Sequence, residues 1–199
     1  MTSSFKDFAV NSEQPNDFSF NNENLKVAKD ILKRYPKNYS EGALMPLLTL
    51  AQKQSNGWIP KKAIEYIADF LKVSEIRVLE IATFYSMYNL SPVGKNHIEV
   101  CTTTPCMLRG SDNILKICEK FLSINSGNIS EDRQFSLTEV ECLGACVNAP
   151  VVKIDEDYFE DLNSDSILSL LNALKNNKKV KKGSQIMRKG SEPAKSKLK

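Results

Sequence analysis

Apolar positions recur every three or four residues through the first half of the chain, the period of helices with one buried face. Leu25, Ala28, Ile31 and Leu32 form the first stripe, which starts at Asn22 and must stop near Tyr35 because Pro36 follows. Ser40 is a candidate cap for a second helix that runs to about Ser55, where Asn56 and Gly57 end it. Pro46 lies inside that span and predicts a late start or a kink. Pro60 suits the first turn of a third helix with Ala63, Ile64, Ile67, Ala68 and Leu71 buried. Ser74 then caps a fourth helix to about Tyr85, with Ile76, Leu79, Ala82 and Phe84 turned inward.

The period changes after the Pro/Gly loop "NLSPVGKNH". "HIEVC" alternates like a strand, and "FSLTEVEC" reads as a second one. Between them, "MLRGSDNILKICEKFL" places Ile114, Leu115, Cys118, Phe121 and Leu122 on one helical face. "VVKID" and "DYFEDL" form a hairpin around an acidic turn at residues 155–157. A last amphipathic helix, capped by Asn163 or Ser164, carries Ile167, Leu168, Leu170, Leu171 and Leu174. Strand, helix, strand implies a parallel crossover, and the hairpin adds antiparallel strands. The expected fold class is α+β: an N-terminal helical bundle at 22–91, then a thioredoxin-like domain at 92–175. An extended leader at 1–21 precedes them, and a basic disordered tail at 176–199 follows.

Composition narrows the class. With 199 residues and 41% hydrophobic content, the chain is an ordinary globular protein of one or two domains. No apolar run approaches the roughly 18 residues of a membrane span. No apolar signal core opens the chain, and the first arginine is Arg34, so no targeting segment is expected. Five cysteines, an odd count, argue against a secreted disulfide framework and for a reducing compartment. The net charge of +3 hides an asymmetry: from Lys175 onward ten basic residues face one acid, leaving 17 basic and 23 acidic residues before it. Such an apolar-poor tail is expected to stay solvated, or to meet an acidic partner or anionic lipid.

Four cysteines form two close pairs, Cys101 and Cys106, then Cys142 and Cys146. Each pair follows a predicted strand. Neighbouring parallel strands end on the same side of a sheet, so the two loops should face each other. C-x4-C and C-x3-C, 35 residues apart, are wider than ordinary structural zinc spacing. They suit a two-iron, two-sulfide cluster held by four thiolates, while zinc and thiol chemistry stay open on spacing alone. A Rieske-type cluster needs two histidines, and the chain has only His97, read as a structural residue. The C-x-x-C of disulfide exchange is missing. Cys118, on the apolar face of its helix, is read as a packing thiol. No G-x-G-x-x-G follows a strand, so no dinucleotide site is expected. "IPKKAIEYIADFLKVSEIRVLEIATFYSM" has helix-turn-helix spacing, yet its second helix offers only Arg77 against Glu75 and Glu80, a poor surface for phosphates.

"ATFYSMYNLSPVGKNHIEVCTTTPCMLRGS" and "ECLGACVNAPVV" resemble the two-iron thioredoxin-like ferredoxin family, the E subunits of bacterial NADH-quinone oxidoreductases (respiratory complex I). The resemblance runs back through "RYP" and "GALMPLLTLAQKQSNGWIP" and forward through "YFEDL", about residues 18–175. It implies Cys101, Cys106, Cys142 and Cys146 as ligands to one [2Fe-2S] cluster. It also implies electron transfer without a substrate site, and FMN and NADH on a flavin-bearing, NADH-oxidising partner subunit. Other peripheral-arm subunits are expected as neighbours, with no nucleic acid and no membrane span of its own. The implied location is cytoplasmic, peripheral on the inner face of the cell membrane. Related subunits also serve NAD-linked hydrogenases and formate dehydrogenases; a zinc-structured adaptor and a cysteine-sensing DNA regulator are the rival classes. In this frame "TTTPC" and "LGAC" offer backbone N–H groups to the sulfurs, with Gly144 allowing close approach. The hydroxyls of residues 102–104 bond sulfur or cap their own turn. Arg109 and a helix N-terminus near Met107 would favour a reduced cluster, with a surface ion pair the plain alternative for Arg109.

Overall fold

The stripes of the first half become four helices: α1 Asn22–Leu32, α2 Leu44–Gln54, α3 Lys61–Leu71 and α4 Glu75–Phe84. The computed structural model describes residues 4–190, which divide after Val93 into two compact units. Asn21 caps α1 by accepting the Asn24 N–H at 2.8 Å. The Pro46 expectation resolves as a late start: Lys37–Ala43 is a 3-10 segment, and Pro46 falls in the first turn of α2. Ser40 therefore caps nothing and donates to the Leu71 carbonyl. Pro60 sits at the N-cap of α3, one residue earlier than expected, and all five predicted stripe residues are buried.

The predicted face of α4 is half right: Ala82 is buried and Leu79 packs against the core as expected. Ile76 and Phe84 are 62% and 79% exposed, while Val78 and Ala82 are the buried residues. Six apolar residues are spread around the helix among Glu75, Arg77, Glu80 and Thr83, so periodicity alone selects the face poorly. Just beyond it, Tyr88 is fully buried and donates to the Met45 carbonyl at 2.9 Å, whereas Tyr85 and Met87 stay exposed. The segment expected as an extended leader folds onto this unit with two 3-10 turns, Ser4–Lys6 and Asn11–Glu13. It buries Phe5, Ala9 and Phe20, and Phe20 meets Tyr66 edge-on at 5.3 Å. Arg77 is ion-paired with Glu41 and Glu80.

The second unit contains, in chain order, β1 Asn96–Cys101, α5 Thr104–Leu108, α6 Ser111–Leu122, β2 Asn128–Ile129, β3 Phe135–Val140, β4 Val152–Ile154, β5 Asp157–Glu160, α7 Ser164–Lys175 and β6 Gly183–Ser184. One sheet of order β2-β3-β1-β4-β5-β6 holds all six strands. β1 and β3 are parallel, from Asn96 opposite Phe135 to Cys101 opposite Val140. β4 and β5 form the antiparallel hairpin. Gly94 leads into β1 against the β3 backbone: a Cβ there would lie 2.4 Å from the Phe135 carbonyl carbon.

β1 is buried on both faces. Alternation places Ile98 and Val100 on one and His97, Glu99 and Cys101 on the other. Glu99 pairs with Lys153 of β4. The His97 ring meets Ser136 Oγ at 2.7 Å, and burial, with the nearby Lys153 charge, holds its pKa down at about 3. Asn163 caps α7 in a reciprocal capping box with Ser166.

The second unit departs from expectation in two places. The single helix expected after the first cysteine pair is split at Gly110 into α5 and α6. The tail, expected to be disordered from residue 176, instead adds β6 alongside β5 and carries Arg188 to an ion pair with Asp161. Its ordering comes from ladder hydrogen bonds and one buried charge pair, which composition does not register. Tail residues 191–199 lie outside the described residues.

Candidate metal centre

The parallel register of β1 and β3 brings the two cysteine loops together. Cys101 ends β1 opposite Val140, and Cys142 follows two residues later. The Thr102 N–H donates to the Val140 carbonyl, joining the strand ends. Cys142 and Cys146 sulfurs are 3.2 Å apart, and the Gly144 N–H points at Cys142 Sγ at 3.4 Å. Cys101 and Cys106 form the inner, buried pair, packed with Ala149 and Val151; Cys142 is exposed and Cys146 half-buried.

Each pair has one depressed and one raised thiol. Burial pushes Cys101 up, but the Thr103 hydroxyl and the N–H groups of Leu143 and Thr103, with Cys106, outweigh it and leave the thiol below its ordinary value. Cys106 is pushed up to about 12 by burial and by Cys101. Cys142 is lowered by its hydrogen bond with Cys146, helped by the Gly144 N–H, and Cys146 is raised by the same contact. The loops thus already aim donors at sulfur, as a centre that accumulates negative charge requires.

The threonines separate into three roles. Thr102 Oγ1 donates to Glu139 at 2.7 Å, tying the loop to β3. Thr103 takes the N-cap position of α5 without capping it, because its hydroxyl lies 3.3 Å from Cys101 Sγ and also helps lower Cys142. Thr104 is exposed as the first residue of α5. α5 begins at Thr104, ahead of Cys106, rather than near Met107, and Arg109 is exposed at its C-cap. Gly144 has φ +82, and a Cβ there would meet no protein atom within 4 Å; backbone conformation, not crowding, calls for glycine. Cys118 stands apart in α6, fully buried, its thiol pushed up to about 12 by burial.

The donor set fits a two-iron cluster: four sulfurs, grouped two and two, with backbone N–H groups facing them. The model for thioredoxin-like [2Fe-2S] ferredoxins matches residues 28–175. The chain belongs to this family. It is 54% identical to the E subunit of the Rickettsia bellii NADH-quinone oxidoreductase over 159 residues, covering 80% of this chain and 95% of that one. It is 49% identical to the mitochondrial NADH dehydrogenase [ubiquinone] flavoprotein 2 of Dictyostelium discoideum over 175 residues, covering 88% of this chain and 71% of the other. Among solved structures, an air-oxidised NAD+-reducing [NiFe]-hydrogenase superposes with a TM-score of 0.56 at 16% identity, covering 65% of this chain and 23% of that chain. That likeness speaks to fold alone.

Sequence reasoning missed the residues that brace the second loop. Asp161 donates its N–H to the Asn148 carbonyl, and Arg188 reaches the Val147 carbonyl. They lie 27 residues apart, in no local pattern that marks them as partners.

Proposed function

We propose that Cys101, Cys106, Cys142 and Cys146 hold one [2Fe-2S] cluster, and that the chain is the electron-transfer subunit of an NADH-quinone oxidoreductase. The observation that carries this reading is the meeting of two cysteine loops at the shared end of two parallel strands. When bound, the cluster supplies a one-electron couple. The chain's own work is electrostatic: N–H groups of Thr103, Leu143, Gly144 and Val151, and the Thr103 hydroxyl, offset negative charge on the thiolates. The buried inner pair keeps water from one side, and the exposed outer pair leaves a short path to a partner.

That partner, in this reading, is the flavin-bearing, NADH-oxidising subunit, which holds FMN and binds NADH. Exposed Met107, Leu108 and Val147 beside the thiols, and Phe84, Tyr85 and Met87 on the helical unit, are apolar surfaces suited to such contacts. Among the described residues no helix is long and apolar enough to cross a membrane, so attachment to the inner face of the cell membrane would run through the complex. The half-identical relatives favour a respiratory host over a hydrogenase, whose likeness is of fold.

Anaerobic purification, absorption spectra and low-temperature EPR after dithionite reduction test the reading. A rhombic S = 1/2 signal that Cys142→Ser removes is the expected result. A colourless chain with stoichiometric zinc overturns it, and salt-dependent duplex binding would revive the regulator.

A further inference from the structure

The basic tail has no place in the function so far, yet part of it reaches the cysteine loop. β6 pairs with β5 through Phe159 opposite Gly183 and Glu160 opposite Ser184, and the Gln185 N–H donates to the Glu160 carbonyl at 2.9 Å. This ladder aims Arg188 back across the sheet edge. Its Nε donates to Asp161 Oδ2 at 2.9 Å, and Nη2 donates both to Asp161 Oδ1 and, at 2.7 Å, to the Val147 carbonyl. Ser184 Oγ donates to the same carboxylate at 2.7 Å. The pair is sheltered, with side chains 13% and 5% exposed. Asp161 adopts φ +55, and its own N–H holds the Asn148 carbonyl at 2.7 Å. Two bonds therefore end on consecutive carbonyls, Val147 and Asn148, immediately after Cys146.

We propose that residues 183–188 are a strap that fixes the Cys142–Cys146 loop, with Arg188 as a positioning residue for those two cluster ligands. This rests on the cluster reading above. The guanidinium is suited to the task because its planar fork spans the carboxylate and the carbonyl together, which a lysine ammonium does not. The cysteine pair it steadies is the more exposed one, where loop motion would most readily open a sulfur to water. Partners behind metal ligands commonly change metal retention ten- to a hundred-fold when lost.

The test uses the anaerobically purified full chain with its cluster. Arg188→Gln, Arg188→Lys and Lys182→Gln are compared with wild type for cluster bleaching by an iron chelator, for EPR g-values after reduction, and for thermal unfolding. Lys182→Gln breaks another ion pair of the tail, with Asp157 of β5. Arg188→Gln is expected to bleach about tenfold faster or more, with shifted g-values, at temperatures where the fold is intact. Arg188→Lys, which keeps the charge, should fall between it and wild type and serves if the glutamine variant does not fold. Wild-type bleaching and g-values in both Arg188 variants would overturn the strap, as would equal acceleration by Lys182→Gln. A wild-type chain that carries no cluster defeats the underlying reading and the strap with it; a loaded wild type with indifferent variants defeats the strap alone.

Discussion

Thr103→Val removes one hydroxyl from the sulfur environment while keeping a β-branched side chain of nearly the same shape. The hydroxyl lies 3.3 Å from Cys101 Sγ. A hydrogen bond to a charged acceptor contributes about 1.5–3 kcal/mol, but most of that is common to both oxidation states. If about a third depends on the added electron, the differential is about 0.5–1 kcal/mol. At about 59 mV per tenfold for one electron, that becomes a potential about 20–45 mV lower in the variant. The sign follows because a donor stabilises the more negative, reduced form. Thr103 is half-buried, which places the expectation at the lower end of that range. An EPR-monitored redox titration of the anaerobic chain reads the shift, and Thr103→Ser should stay near wild type. A rise in potential, no shift beyond about 10 mV, or an equal shift in the serine variant would refute the hydroxyl's role.

Three further outcomes test the scaffold. His97 stays neutral in the fold with a pKa of about 3 against an ordinary 6.5, so the unfolded chain alone gains its proton as pH falls through 6.5. Stability should therefore drop by about 1.4 kcal/mol per pH unit from this group between those values. Urea unfolding of His97→Gln should show that slope reduced by one proton, and an unchanged slope would count against it. Gly94→Ala places a methyl on the Phe135 backbone and should cost about 3 kcal/mol or more, read as a lower denaturant midpoint. Cys118→Ala should lower stability by about 1–2 kcal/mol yet leave iron content and the EPR spectrum unchanged, since the thiol lies in the core of α6 rather than beside the other four.

Much of the candidate site was legible because the pattern that encodes it is local. Each cysteine pair sits just after an alternating run, and two parallel strands flanking a helix must deliver both loops to one end of the sheet. The α3 stripe and the Asn163 cap were readable for the same reason: their partners lie within one or two turns. The inward face of α4 was legible only in part, because apolar Ile76 and Phe84 stand among its polar residues, and packing chose Val78 beside the expected Ala82. β2 and β6, two residues each, have no period of their own; they exist because β3 and β5 present open ladder groups.

By itself, then, the sequence determined the order of the longer helices and of β1, β3, β4 and β5, the two cysteine loops and the solitary role of Cys118, all of them consequences of short-range period and spacing. Tertiary structure decided which hydroxyl faces sulfur, since Thr102 and Thr103 are adjacent and chemically identical until β3 places Glu139 beside one and the turn places Cys101 beside the other. It also decided that a lysine-rich tail doubles back to Asp161. A buried charge pair between distant residues depends on where the sheet edge lies, and no local pattern of side chains carries that information.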